Sequence, residues 1–221
     1  MIKDIKSRLL GKYLPESDAE FVPVPLTQCD DTGHYLLREV MIAFQSLFEK
    51  AKSKGIHLEI ISSTRNFDRQ KRIWEKKWNA ETFQHHESGR LLSDFEKALK
   101  ILQYSAMPGT SRHHWGTDFD LNSVEPEYFE SKEGLAVHEW LKKNASEFGF
   151  FQPYTPKDEK RLFGYEHEPW HWSYLPISKG YLRLYQEIIA EKDLVGFEGD
   201  HLSLTLNVIE KYVKCIDKHL I

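Results

Sequence analysis

The sequence predicts one domain of α/β or α+β class. The chain has 221 residues, of which 40% are apolar and 29% are charged, and a chain of this size can bury one sizeable hydrophobic core. Several segments repeat apolar residues every three to four positions, and two short segments have strand character. Because no internal repeat, low-complexity tract or linker divides the chain, we expect residues 1–221 to form one domain with helical additions at both ends.

The first half of the chain predicts two helices and one strand. Tyr35–Lys54 has apolar residues at helical spacing and is followed by Gly55, a residue typical of helix C-termini. His57–Ser62 predicts a short strand that leads into a polar segment. A second helix is expected over Phe67–Trp78.

The second half predicts further helices and a second strand. Ser93 and Glu96 have the spacing of a capping box, so a helix is expected from there to about Tyr104, before the turn signal Pro108-Gly109. The remaining predicted elements are a helix over Leu135–Phe148, a strand over Trp170–Tyr174, and helices over Ser178–Glu191 and Ser203–His219.

Composition excludes several classes of protein. Cys29 and Cys215 form no CxxC pair, which excludes a thiolate zinc cluster or a thioredoxin-like motif and leaves open whether the two pair with each other. The formal charge of −4 does not predict a nucleic-acid partner. No run approaches the roughly 20 apolar residues that span a bilayer. Charges interrupt Met1–Leu14, so no secretory signal is visible there.

Polar residues are densest in the segment PGTSRHHWGTDFDLN. It holds Ser111, His113, His114, Asp118 and Asp120 within ten positions. If the chain is extended after the glycine, both aspartates point to one face of the strand. The segment is compatible with a zinc site made of imidazole and carboxylate ligands and equally with a hydrogen-bonded loop.

A second segment, GYEHEPWHWSY, favours the metal interpretation. Glu168 precedes His171 by three residues, close to the predicted strand. Three protein ligands leave the fourth position of a catalytic zinc open for water. His113, Asp120 and His171 would fill those three places, and Glu168 would act as the base that moves the water proton.

The two segments together resemble the VanY-type D-alanyl-D-alanine carboxypeptidases, which are zinc peptidases of a clan that includes the D-Ala-D-Ala dipeptidases and the hedgehog-like fold. The resemblance covers about Ile56–Tyr174 and rests on the motifs Ser111-x-His113-x-x-Gly116-x-Asp118-x-Asp120 and Glu168-x-x-His171-Trp172. It implies an α+β fold in which a small antiparallel sheet carries the site and is packed with helices. It also implies one zinc ion held by His113, Asp120 and His171, with Glu168 as the catalytic base.

Upstream, Ser63-Thr64-Arg65-Asn66 with Gln70 resembles the stretch whose arginine and glutamine line the substrate pocket of this family. Arg65 can grip a terminal carboxylate with two hydrogen bonds. Gln70 and Ser111 are candidates for hydrogen bonds to the substrate, although Gln70 can equally lie on a helix face and Ser111 can equally shape a turn.

The sequence departs from the family pattern at Asp118, which replaces the usual small residue and leaves open which aspartate binds the metal. Thr64 and Asn66 replace the usual Tyr and Ser. His114 would point away from the site if the backbone is extended there, so a structural role is expected for it.

The resemblance implies cleavage next to a C-terminal D-amino acid of a peptidoglycan stem peptide. The alternatives are an L,D-carboxypeptidase or an endopeptidase of the same clan, and a hedgehog-like module that binds zinc without turnover. The implied substrate places the protein in the cell envelope, the periplasm or the extracellular space, whereas the charged Met1–Leu14 segment gives no sign of export. The oligomeric state is left open.

Overall fold

The computed structural model describes residues 5–220, so the first four residues of the charged N-terminal segment lie outside it. The chain forms seven α-helices and six β-strands within that range. In chain order they are α1 (Ile5–Leu9), β1 (Phe21–Pro23), β2 (Tyr35–Leu37), α2 (Arg38–Ser53), β3 (Ile60–Ser62), α3 (Phe67–Asn79), α4 (Asp94–Ile101), β4 (Asp118–Leu121), α5 (Lys132–Asn144), β5 (Phe150–Phe151), β6 (His171–Tyr174), α6 (Leu175–Ile188) and α7 (Ser203–Leu206).

A four-stranded antiparallel sheet with the order β3-β4-β6-β5 forms the centre of the fold. In its middle pair, Asp120 lies opposite His171 and Phe119 lies opposite Trp172. Because successive side chains in a strand point to opposite faces, the apolar members of these pairs lie on one face and the polar members on the other. β1 and β2 form a separate antiparallel pair.

Each face of the central sheet has its own environment. On the apolar face, Phe119 and Trp172 join a core built with α2 and α5, in which Phe44 contacts Phe119 edge to face. A second core is formed by α3, α4, α6 and the C-terminal segment around Trp74 and Tyr185. The polar face of β4 and β6 therefore carries charged side chains that this protein buries rather than exposes to solvent.

The α+β class and the small antiparallel sheet agree with the sequence-based expectation. The predicted helix at Phe67 is confirmed, and its start is fixed because the Asn66 side chain accepts a hydrogen bond from the Arg69 amide (2.8 Å). The predicted capping box is also confirmed, since the Ser93 hydroxyl and the Glu96 carboxylate each accept the other residue's backbone N–H.

The predictions of two helices were wrong in part. Tyr35–Leu37 is a strand rather than the first turn of a helix, because it pairs with Phe21–Pro23 and α2 begins only at Arg38. The helix expected over Ser203–His219 ends at Leu206, because Asn207 adopts a left-handed conformation (φ 51°) that interrupts it.

Other observed element boundaries differ from the predicted ones by a few residues. The first predicted strand is shortened to Ile60–Ser62, where a bulge disturbs its pairing with β4. The helix expected from Leu135 is α5, which begins at Lys132 and passes into a tighter 3-10 turn at Ala145. Helix α6 begins three residues earlier than expected, with a proline in its first turn.

The structure also bears on membrane-spanning segments and on the pairing of the two cysteines. Within residues 5–220, no helix is long and apolar enough to cross a membrane. Cys29 and Cys215 are both free thiols, so the structure contains no disulfide between them.

Candidate metal centre

A sharp turn brings His113 to the polar face of the sheet. Arg112–Trp115 form a 3-10 turn that ends at Gly116, whose φ of 74° is left-handed. A Cβ at Gly116 would collide with the ring of Phe21. Glycine is therefore required at this point, where the chain turns into β4 and carries His113 back over the strand.

His113, Asp120 and His171 meet at this turn. His113 Nδ1 donates to the Ser63 carbonyl (2.8 Å), which leaves Nε2 as a lone-pair nitrogen 3.3 Å from Asp120 Oδ2. His171 Nε2 donates to Asp118 Oδ2 (2.9 Å), and its Nδ1 lies 3.2 Å from Asp120 Oδ1. Each imidazole thus has one nitrogen fixed by a hydrogen bond and the other facing the same carboxylate.

The donor set fits a zinc ion. One atom from each of these three buried residues lies within 4.8 Å of the others. His113 Nε2 and Asp120 Oδ1 are buried and have no hydrogen-bond partner among the described residues, which is unusual for buried polar atoms. Two imidazole nitrogens and one carboxylate are ligands that zinc takes in catalytic sites, with a further position open.

The three residues have shifted pKa values in the metal-free protein. Burial and the Arg65 charge lower the pKa of His113 to about 4, so its imidazole is neutral at pH 7. Burial opposes ionisation of Asp120, but the two histidines hold its pKa well below the usual range. Burial also disfavours a charged His171, yet hydrogen bonds to the two aspartates raise its pKa to about 9. A metal ion would therefore have to displace a proton from His171.

Glu168 stands beside this cluster. Its Oε2 lies 3.5 Å from His171 Nδ1, and the side chain is buried. Burial raises the pKa of Glu168 to about 8. The backbone is held on both sides, because the Glu168 amide donates to the Tyr154 carbonyl (3.0 Å) and the Glu168 carbonyl accepts from Gln152 Nε2 (2.9 Å).

Asp118 has a different environment from Asp120. Besides the His171 hydrogen bond, its carboxylate accepts from Arg112 Nε (2.8 Å) and from the Ser173 hydroxyl (2.9 Å). Arg112 and Asp118 form an ion pair that is almost completely shielded from solvent. Of the two aspartates, Asp120 lies in the cluster with His113 and His171, whereas Asp118 contacts the other ring nitrogen of His171.

Arg65 and Gln70 are linked to each other. Arg65 Nη2 donates to Asp120 Oδ2 (3.0 Å), and Nη1 donates to Gln70 Oε1 (3.1 Å). Gln70 is fully buried, and its Nε2 donates to the Ala106 carbonyl (2.8 Å). Both ends of the Gln70 amide are therefore engaged with the protein, while Arg65 lies directly beside the cluster.

His114 lies away from the cluster, as expected. Its Nδ1 donates to the Arg65 carbonyl (2.6 Å), and its Nε2 accepts from the Gly109 amide (3.0 Å). Burial lowers the pKa of His114 to about 3, so the ring stays neutral. Its two ring nitrogens thus join the Gly109 turn to the segment that carries Arg65.

Two cavities open onto these residues. A groove of about 940 Å³ is lined by Arg65, Asp120 and Glu168, together with Lys77 and Trp170. A smaller cavity of about 30 Å³ adjoins the groove, and its wall includes Ser111, Arg112, Tyr154 and Tyr165 as well as residues of the cluster. The sequence reasoning did not single out the last three of these, although Arg112 lies inside the first motif and Tyr165 just before the second.

Comparison with known proteins gives a consistent result. Residues 33–177 match the family model described as VanY, D-alanyl-D-alanine carboxypeptidase. The D-alanyl-D-alanine carboxypeptidase of Enterococcus faecalis is 29% identical over 150 residues, which are 68% of this chain and 52% of that protein. The chain spans about half the length of the curated relatives that it matches.

Two solved structures are similar in fold. VanYB in complex with D-alanine-D-alanine superposes with a TM-score of 0.53 and 26% identity, over 75% of this chain and 87% of that chain. A mutant of the vancomycin-resistance D,D-pentapeptidase VanY in complex with Zn(II) gives the same TM-score and identity, over 78% and 94%. The family model covers well over half of the sequence, including every residue of the cluster, and the chain belongs to the VanY D-alanyl-D-alanine carboxypeptidase family.

Proposed function

We propose that this protein is a zinc-dependent carboxypeptidase that removes the C-terminal D-alanine from peptidoglycan stem peptides. One observation carries the proposal. His113, Asp120 and His171 each offer a ligand atom within 4.8 Å of the others, two buried atoms of the cluster lack hydrogen-bond partners, and Glu168 lies beside them. A buried cluster with unsatisfied acceptor atoms and an adjacent carboxylate is costly for a fold unless it binds a ligand.

The similar proteins support the choice of metal and substrate. The VanY pentapeptidase was solved with Zn(II), and VanYB was solved with D-alanine-D-alanine. We propose the same metal and the same kind of substrate for this chain, with one zinc ion held by His113, Asp120 and His171. The substrate would be a peptide that lies outside the cytoplasmic membrane, so we expect the protein to act in the cell envelope.

In this proposal, Glu168 moves the protons of the reaction. Zinc, when bound, lowers the pKa of a coordinated water and polarises the carbonyl group of the substrate. The charge of a bound zinc ion would lower the raised pKa of Glu168, so that its carboxylate is ionised. Glu168 then takes a proton from the attacking water and returns it to the nitrogen of the departing D-alanine. The burial of Glu168 keeps bulk water away from this transfer, and hydrogen bonds to Tyr154 and Gln152 fix the backbone from which its side chain extends.

Arg65 supplies a fixed positive charge at the same place. Its guanidinium lies against Asp120, next to the position of the reacting carbonyl, where it can stabilise the developing negative charge. Gln70 holds Arg65 in this orientation through the Nη1 contact rather than by reaching the substrate itself. Ser111 lines the smaller cavity, where its hydroxyl would contact the substrate.

Product analysis with defined substrates tests this function. The zinc-loaded protein is incubated with a stem pentapeptide, a stem tetrapeptide and intact cross-linked wall, and the products are identified by mass spectrometry. We expect loss of one D-alanine from the pentapeptide only. Cleavage of the tetrapeptide would identify an L,D-carboxypeptidase, release of cross-linked fragments an endopeptidase, and bound zinc without any product a non-catalytic module.

A further inference from the structure

Two histidines outside the metal centre meet at one amide group. His138 Nε2 lies 3.4 Å from Gln152 Oε1, and Gln152 Nε2 lies 3.3 Å from His167 Nε2. His138 is a buried residue of α5, whereas His167 is partly exposed and directly precedes Glu168. Both Nε2 atoms therefore face the same small space, which the Gln152 amide fills.

The separation of the two rings is close to that of two imidazoles on one metal ion. Imidazoles that bind zinc at about 2.0–2.1 Å in tetrahedral geometry have ring centroids about 5 Å apart. The centroids of His138 and His167 are 5.6 Å apart, and those of His113 and His171 in the metal centre are 4.7 Å apart. A small shift of one ring, once the amide has moved, brings both Nε2 atoms to one ion.

Both rings have the protonation state that a metal ion needs. Burial lowers the pKa of His138, and burial with nearby positive charges lowers the pKa of His167 to about 4. The two imidazoles are therefore neutral at pH 7, the form that binds metals. Lys142 is one of the nearby charges, but it forms an ion pair with Glu139, which offsets its repulsion of a cation.

The surroundings of the rings also permit an ion to bind. Neither Nδ1 atom has a hydrogen-bond partner within residues 5–220, so each can carry the ring proton while Nε2 binds the ion. Because His167 is partly exposed, the ion can enter from solvent and keep water as its remaining ligands. The Gln152 amide also donates to the Glu168 carbonyl (2.9 Å), so it keeps one partner when it releases the rings.

We propose that His138 and His167 form a second metal site, which binds a divalent ion that prefers imidazole ligands, such as zinc, through the two Nε2 atoms. With two protein ligands rather than three, this site is weaker than the cluster of His113, Asp120 and His171 and fills after it. It needs no turnover, so it stands apart from the proposed peptidase function.

Zinc titration of the metal-free protein tests the site. Calorimetry at neutral pH should show a tight binding event followed by a weaker one. His167→Asn should lose the weaker event and keep the tight one, so that bound zinc falls from two ions to one. His86→Asn is the matched control, because His86 is exposed between α3 and α4 and its ring contacts only Ser88. Both events should remain in the control.

A second variant and a second measurement locate the ion. His138→Asn should also lose the weaker event. In the wild-type protein, zinc beyond the first equivalent should shift the imidazole nitrogen NMR signals of His138 and His167 and leave those of His86 in place. The NMR shifts report direct binding, which a general loss of stability in either variant would not produce.

The outcomes separate this site from the peptidase function. Zinc binding that is the same in the wild-type, His138→Asn and His167→Asn proteins would overturn the second site, even if the wild-type protein releases D-alanine. A zinc-binding event that depends on both histidines, in a protein that releases no D-alanine, would support the second site and refute the peptidase function.

Discussion

Asp118 Oδ2 accepts the Nε2 hydrogen of His171 at 2.9 Å, so that Nδ1 is the nitrogen that faces Asp120. This one hydrogen bond fixes both the tautomer and the orientation of the ring. Asp118 in turn is held by Arg112. A buried ion pair behind the cluster therefore determines which nitrogen of His171 is available to a metal ion.

Replacing Asp118 should weaken both the metal site and the fold. Asp118→Ala removes the partner of His171, and loss of such a supporting group typically costs about 10–100-fold in metal affinity. It also leaves the Arg112 charge buried and unpaired, which costs about 3–5 kcal/mol in the free energy of unfolding. Zinc titration and urea unfolding of the metal-free protein measure the two effects.

The double variant Arg112→Met, Asp118→Ala is the control for this prediction. It removes the whole ion pair, so most of the lost stability should return, while the zinc affinity stays low because His171 still lacks its acceptor. Full recovery of zinc affinity in the double variant would contradict the role given to Asp118.

His114 should make the fold sensitive to acid. Its pKa is lowered to about 3 by burial, whereas an unfolded histidine has a pKa of about 6.5. Between these two pH values the unfolded state binds a proton that the folded state does not. Titration of His114 therefore leaves the free energy of unfolding unchanged above pH 6.5 and lowers it as the pH decreases toward 3. The slope of the free energy of unfolding with pH that is due to His114 approaches about 1.4 kcal/mol per pH unit.

Urea unfolding of the metal-free protein between pH 4 and 7 measures this slope. His114→Gln keeps a polar side chain that does not titrate, so it should be less stable at pH 7 but should show a slope smaller by about one proton. A slope identical to that of the wild-type protein would show that His114 is not the residue that takes up the proton.

Gln70 should affect turnover without affecting the metal. Gln70→Leu preserves the volume of the buried side chain but removes the acceptor of Arg65 Nη1. A guanidinium that is less well held stabilises the developing charge less, and we expect kcat to fall about tenfold with unchanged zinc content. Gln45→Leu, on the remote helix α2, is the matched control and should leave kcat unchanged. Loss of zinc from the Gln70→Leu protein would instead indicate that Gln70 helps to hold the metal ligands in position.

The sequence predicted the parts of the fold that have local signals. The cap at Asn66 and the capping box at Ser93 are short-range hydrogen bonds that the residue types already determine. Period-two alternation placed Asp118 and Asp120 on one face of a strand, and the structure has both contacting His171. The structure brings the three residues named from the motif spacing within 4.8 Å of one another, because they lie on adjacent strands and the turn beside them. That they bind a metal stays a prediction.

Long-range pairing produced one of the two errors in the predicted helices. Tyr35–Leu37 has helical spacing with the residues that follow it, but its pairing with Phe21–Pro23 outweighs that local preference. The Arg112 side chain could not be assigned from the sequence either, because its contacts to Ser173 and Trp115 depend on how the turn packs over the sheet.

The Glu168→Gln variant tests the central claim most directly. The glutamine side chain has the same size, and residue 168 is not one of the three proposed zinc ligands. The variant should therefore bind one zinc ion with wild-type affinity. Release of D-alanine from a stem pentapeptide should fall by at least about 10²-fold, because no group remains to move the water proton. Zinc content and released D-alanine are measured on the same sample. Full zinc content with lost turnover is the predicted result, and turnover at the wild-type rate would contradict the account.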